Sequence, residues 1–283
     1  MHFARSTPPP RISCPADFRF RTDAAGNIPL SRDWFSLLSR TGAFNRIVLQ
    51  TRNTCVRLVT SGPLPALTWS PTRESAHDTH GTFTLHSGLW HQAYARLEPC
   101  ACCASPGKLQ VFDAAGAERL QMCAVPEISS TAWAACLAPL AAPCNATLRP
   151  APRGIFYPGP RFHPPAGISL HDPALLPALF DLFAREAASF TCTLPSPAAT
   201  QRRELTPRHL TFEHGLLTAS DGQHTVQIVL PAVHHLAWRN DHRQRPLHLV
   251  GREGTHLLEL GPAGTPDGAC LWSALLHTVL TDN

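Results

Sequence analysis

Hydrophobic and polar positions along this chain alternate between two periods, and the places where the period switches mark out its elements. A helical stripe of Trp34, Phe35, Leu37 and Leu38 follows Ser31, whose hydroxyl can cap the free amides of a first turn, and Gly42 closes it. Phe44 to Gln50 and Thr54 to Thr60 are short runs rich in Val, Ile, Thr and Leu, with Thr51-Arg52-Asn53 at the bend of the hairpin they predict. From Gly81 the period-2 pattern resumes. Phe83 and Leu85 share a face, and strands are expected over Leu89 to Leu97, Leu109 to Asp113 and Arg119 to Ala124. Asp113-Ala114-Ala115-Gly116 supplies a turn, its glycine placed for a positive φ. A helix from Ser130 to Leu140 then carries Trp133, Cys136, Leu137 and Leu140 on one stripe.

The second half repeats this order. Asp172 caps a helix with Pro173 in its first turn, and Leu175, Leu176, Leu179, Phe180 and Phe183 fall at helical spacing. Strands are expected over Leu210 to Phe212, Leu216 to Ala219, Thr225 to Leu230, Val233 to Arg239, Leu247 to Val250 and Thr255 to Leu260. Asp267 caps a closing helix with Leu271, Trp272, Leu275, Leu276 and Val279 on its stripe.

Landmarks around Trp90, Leu109 to Gly116 and Trp133 recur around Val233 to Trp238, Leu247 to Gly254 and Trp272, about 140 residues later. That period is too long for a solenoid and fits two copies of a domain-sized unit. The expected fold is α+β: two tandem repeats, 1–150 and 151–283, each a large antiparallel sheet flanked by helices. The Pro-rich stretch from Pro143 to Pro165 separates them. Ligands favour such a junction.

Composition narrows the function classes. Of 283 residues 43% are hydrophobic and 16% charged, which suits a globular protein and not a disordered one. The net charge of +4 rests on scattered arginines, Lys108 being the only lysine, so no nucleic-acid-binding arm stands out. No stretch of ~18 apolar residues and no signal-peptide pattern is present, and a soluble, cytoplasmic protein without membrane insertion is expected. In that setting the ten cysteines read as reduced thiols, with Cys55, Cys123, Cys136, Cys192 and Cys270 in hydrophobic patterns.

Three groups of residues carry candidate chemistry. His171, just before a helix, can offer a neutral imidazole to iron. His91 and His235 read as equivalent repeat positions, while His234, His235 and His242 lie close in sequence but not on one strand face. Cys100, Cys102 and Cys103 offer thiolates at metal-binding spacing, without the second pair that a structural zinc site draws on. Arg52, Arg96, Arg239, Arg243 and Arg245 are guanidinium forks for carboxylates. No nucleophile triad, phosphate loop or paired-carboxylate motif rises above chance.

Gly42-Ala43-Phe44 leading into Leu49-Gln50-Thr51-Arg52-Asn53, the block from Leu85 through Trp90 and Tyr94 to the Leu109 to Gly116 turn, and the later series Ala237-Trp238, Leu247 to Gly254 and Trp272 together resemble the bacterial haemin-degrading and haem-transport factors. The resemblance covers most of 31–283 at low identity. It implies tandem repeats holding haem in the cleft between them, a histidine early in the second half on the iron, and arginines and other polar side chains on the propionates. His171 is then the expected iron ligand, three residues ahead of the aligned position at Ala174. Arg52, His86, Arg239 and Arg245 are the expected clasp, His86 standing near where the family carries an arginine before Trp90. Gly261-Pro262-Ala263-Gly264 replaces a Tyr-Gly-Gln-Arg segment of the family.

The leading expectation is a cytoplasmic haem-binding protein of trafficking or haemin degradation, with haem as ligand and haem-uptake proteins as partners. Whether it degrades haem as an enzyme is left open. The alternatives are a non-enzymatic interaction scaffold on the same duplicated fold, and a thiol-based metal or redox protein built on Cys100, Cys102 and Cys103.

Overall fold

Asp33, not Ser31, starts the first helix: its carboxylate accepts the Ser36 amide at 3.1 Å and so satisfies one free N–H of the opening turn. The computed structural model describes residues 26–44, 46–72, 74–98, 105–142, 160–196, 198–239 and 245–280. Its first half runs β1 (Ile28–Pro29), α1 (Trp34–Gly42), β2 (Ile47–Arg52), β3 (Val56–Gly62), β4 (Leu67–Trp69), β5 (Ala76–Asp78), β6 (Phe83–Leu85), β7 (Trp90–Arg96), β8 (Lys108–Asp113), β9 (Glu118–Ala124) and α2 (Ser130–Leu137). The second half follows as β10 (Ser169–His171), α3 (Leu176–Arg185), β11 (Phe190–Leu194), β12 (Ala199–Leu205), β13 (His209–Glu213), β14 (Leu216–Ser220), β15 (His224–Val229), β16 (Val233–Trp238), β17 (Leu247–Gly251), β18 (His256–Pro262) and α4 (Pro266–Leu280). The two lists match term by term.

The strands form two nine-stranded antiparallel sheets, an α+β architecture. One has the order β1-β7-β8-β9-β2-β3-β15-β14-β13 and the other β10-β16-β17-β18-β11-β12-β6-β5-β4. Adding nine to each strand number of the first, counted around eighteen, gives the second. Each sheet therefore holds six strands of one half and a three-strand meander of the other. The exchange is sealed by β15 on β3, with Val226 opposite Leu58, and by β12 on β6, with Ala199 opposite Leu85.

Two hydrophobic cores result. One buries Leu179, Phe180 and Phe183 of α3 and Trp272 and Leu276 of α4 against β11 and β16–β18, with Val226 and Ile228 of the exchanged meander above them. The other treats α1 and α2 in the same way, with Leu37, Trp133, Leu120 and Phe83 in its centre. Phe183 stacks on Trp272 with ring centres 5.5 Å apart. Where the sheets meet, Gln201 is fully buried and bridges them, accepting from Thr51 Oγ1 at 2.8 Å and donating to Thr60 Oγ1 at 2.6 Å.

The five described cysteines are free thiols. Cys123, Cys136 and Cys192 are buried, and burial pushes the Cys136 thiol up to about 11, so it is inert at neutral pH. Cys55 is half-buried and Cys270 exposed, contrary to the apolar setting their neighbours suggest. No described helix is long and apolar enough to cross a membrane.

Candidate functional site

The repeat makes each residue comparable with a counterpart in the other half. Ala93 and Leu236 hold equivalent places, since Ala93 faces Val111 on β8 and Leu236 faces Leu249 on β17. The amide of Leu30 bonds the Ala93 carbonyl at 3.0 Å, and His171 is paired with Leu236. His171 is thus the counterpart of Leu30, which is 6% exposed and part of the N-terminal core. One half fills this place with an aliphatic side chain and the other with an imidazole.

His171 Nε2 is buried and has no hydrogen-bond partner among the described residues. Burial lowers the ring's pKa, which keeps the imidazole neutral at pH 7. Its ring centre lies 6.3 Å from that of Trp238, which meets His277 of α4 edge-on at 5.2 Å. A buried nitrogen without a partner costs stability, and a neutral imidazole with an uncommitted nitrogen is the donor that haem iron takes axially. In donor chemistry His171 fits haem. The atom is covered in this structure, so iron reaches it only by displacing what covers it.

Of the other expected residues, two adjoin the strands that follow β10 in the sheet. Arg239 follows β16 and Arg245 precedes β17, Arg239 half-buried beside Gly167 and the Arg245 carbonyl accepting from Trp272 Nε1 at 3.1 Å. Arg239 is three residues along the chain from Leu236, the partner of His171, or about 10 Å at strand rise. His86 follows β6, exposed, its amide on the Ala198 carbonyl at 3.0 Å. Six strand spacings across the sheet separate it from His171, roughly 29 Å. Arg52 is exposed at the end of β2 in the other sheet. Arg239 and Arg245 border the two strands next to β10; Arg52 and His86 do not.

The β2–β3 hairpin reaches the other half, where Thr54 and Cys55 line a cleft of about 410 Å³ with His234, Arg252, Glu253 and Leu257. That volume lies within the range of small-ligand sites. Arg252 Nε donates to His234 Nε2 at 3.5 Å, and Glu253 is held at φ +62°, an uncommon conformation for a non-glycine residue. His234, not His235, is the counterpart of His91: each is the extra residue of a bulge, between Trp90 and Gln92 in one half and between Val233 and His235 in the other. Cys100, Cys102 and Cys103, and likewise His242 and Arg243, lie outside the described residues.

No protein-family model matches the chain, and no curated protein matches its sequence. Solved structures do match its fold. Apo-PhuS, a haem-binding protein from Pseudomonas aeruginosa, superposes with a TM-score of 0.72 at 16% identity, over 90% of this chain and 87% of that one. Holo-PhuS gives 0.68 at 16% identity, over 85% and 82%. ChuS, an E. coli haem oxygenase, gives 0.69 at 11% identity, over 90% and 89%. At these identities the likeness establishes a shared fold, which includes the two large sheets described above.

Proposed function

We propose that this protein binds haem, with His171 as the axial ligand and Arg239 and Arg245 on the propionates, and that it serves haem trafficking or breakdown in the cytoplasm. The observation that carries the reading is the uncommitted Nε2 of His171, neutral at physiological pH, at a position where the other half places Leu30. The fold shared with haem proteins supports it.

The chain's own contribution is binding and orientation. His171 would hold the iron, and the guanidinium groups of Arg239 and Arg245 offer paired N–H donors that match carboxylates. Trp238, 4% exposed, supplies an apolar wall beside the imidazole. Bound haem supplies redox-active iron, and ring opening would also require an external reductant.

Titration of the purified chain with haemin tests the proposal. Expected is a saturable Soret change at one haem per chain that weakens at least tenfold in His171→Leu, a substitution that copies the N-terminal half. Absence of a saturable change removes haem and leaves the duplicated fold as an interaction scaffold. Equal affinity in His171→Leu and the parent protein removes His171 from the site.

A further inference from the structure

A second cluster of donor atoms lies on the outer face of the β10-containing sheet, away from the buried leucines. His248 on β17 stands directly opposite Glu259 on β18. His256 is three residues before Glu259, an odd spacing that puts two side chains on opposite faces of a regular strand. The register shift between Leu249 and Val250 changes that: Leu257 and Leu258 are both buried, 1% and 0% exposed, and His256 comes round to the face of Glu259. His248 Nδ1 is then 3.1 Å from His256 Nε2 and 3.8 Å from Glu259 Oε2, and one donor atom from each of the three lies within 4.8 Å of the others.

Tetrahedral zinc holds nitrogen and oxygen donors at ~2.0–2.1 Å, which sets them ~3.3 Å from one another. The observed separations bracket that value. Phe162 covers one side, its ring centre 4.8 Å from His248 and 5.5 Å from His256. The segment that carries it is fixed by the Phe162 amide on the Gly254 carbonyl at 2.7 Å and the His256 amide on the Pro160 carbonyl at 2.8 Å. The side chains of His248 and Glu259 remain 15% and 36% exposed, which leaves room for water at a fourth position.

The other half contains the same scaffold without the ligands. Gln110 faces Gln121, and Glu118 follows an equivalent register shift between Val111 and Phe112. There Gln110 Nε2 donates to Glu118 Oε2 at 2.5 Å, closing the group on itself. The bulged frame is present twice, and imidazoles occupy it once.

We propose that His248, His256 and Glu259 bind a divalent transition metal ion of the zinc type, with an open fourth position. Two nitrogens and one carboxylate oxygen are a donor set for borderline ions and not for calcium or magnesium. The site lies outside the haem reading and does not depend on it.

The test is titration of the untagged, chelator-treated chain with Zn²⁺ by calorimetry and with Co²⁺ by visible absorption. The comparison is the triple variant His248→Gln, His256→Glu, Glu259→Gln, whose side chains already coexist in the N-terminal copy. Expected are a Co²⁺ spectrum of low-symmetry ligand-field bands that Zn²⁺ abolishes, and at least a hundredfold weaker binding in the triple variant. His171→Leu should retain the full signal. No stoichiometric binding by the parent chain, or equal binding by a folded triple variant, overturns the proposal and leaves the haem reading as it stands.

Discussion

Asn53 donates from Nδ2 to the carbonyl of Leu257, 2.7 Å away and 204 residues further along the chain. The same side chain accepts the amides of Cys55 and Val56 at 3.0 and 2.8 Å, so one buried amide both shapes the β2–β3 hairpin and ties it to the second half. Asn53→Ala leaves the buried Leu257 carbonyl and Val56 amide and the half-buried Cys55 amide without that partner and is expected to cost about 2–3 kcal/mol. Chemical denaturation measures it; a change below about 0.5 kcal/mol would show that the hairpin tip carries no such weight.

Gly107 is required for lack of space. A Cβ there would stand 2.7 Å from the ring of Trp133, which is fully buried, and 2.8 Å from the Arg96 carbonyl. Gly107→Ala should therefore destabilise by about 1–3 kcal/mol through overpacking, read as a lower unfolding midpoint with an unchanged denaturant slope.

The His248–His256 pair makes stability depend on pH. The pKa of His248 is lowered from 6.5 in the unfolded chain to about 4 in the fold, by burial first and then by His256. Between those values the unfolded state binds more protons, so the stabilisation is complete above pH 6.5 and is lost as pH falls toward 4. Its ceiling is about 3 kcal/mol. Glu259, pushed up by burial, acts in the opposite sense in the acid range. Unfolding at pH 7 and pH 5 should show the loss, and His248→Gln should flatten it; an equal slope in that variant would refute the assignment.

His171 should show the conflict between function and stability. Its unpartnered buried nitrogen is a cost, and Leu30 shows what the fold accepts there. His171→Leu is expected to fold with equal stability or up to about 1 kcal/mol more. A large loss would mark the imidazole as structural.

Much of the fold was legible in the sequence. Alternation located most of the long strands and Asp172 the helix that follows it, but β11 and β12, beside and within the Pro195 to Pro207 stretch that reads as a loop, escaped it, and the caps expected at Ser31 and Asp267 fall to Asp33 and Thr265. The short strands β1, β4, β5 and β10, of two or three residues, are too brief for a period to show. The exchange of meanders was not legible either, because alternation reports which face a residue takes and not which strand lies beside it. Val226 and Leu58, 168 residues apart in numbering, carry no local sign of their pairing.

Bulges hid the rest. A single extra residue moved the counterpart of His91 from His235 to His234, and another brought His256 onto the face of His248 and Glu259. From spacing alone those three residues belong to no motif. The family resemblance singled out His171, while its relation to Leu30 needed the strand pairing.

The most direct test of the central claim is imidazole rescue of the ferric haem spectrum in His171→Ala. His171 as iron ligand predicts that the variant loses the parent spectrum and that added free imidazole restores it at one haem per chain. A variant whose haem spectrum equals that of the parent without imidazole would contradict it.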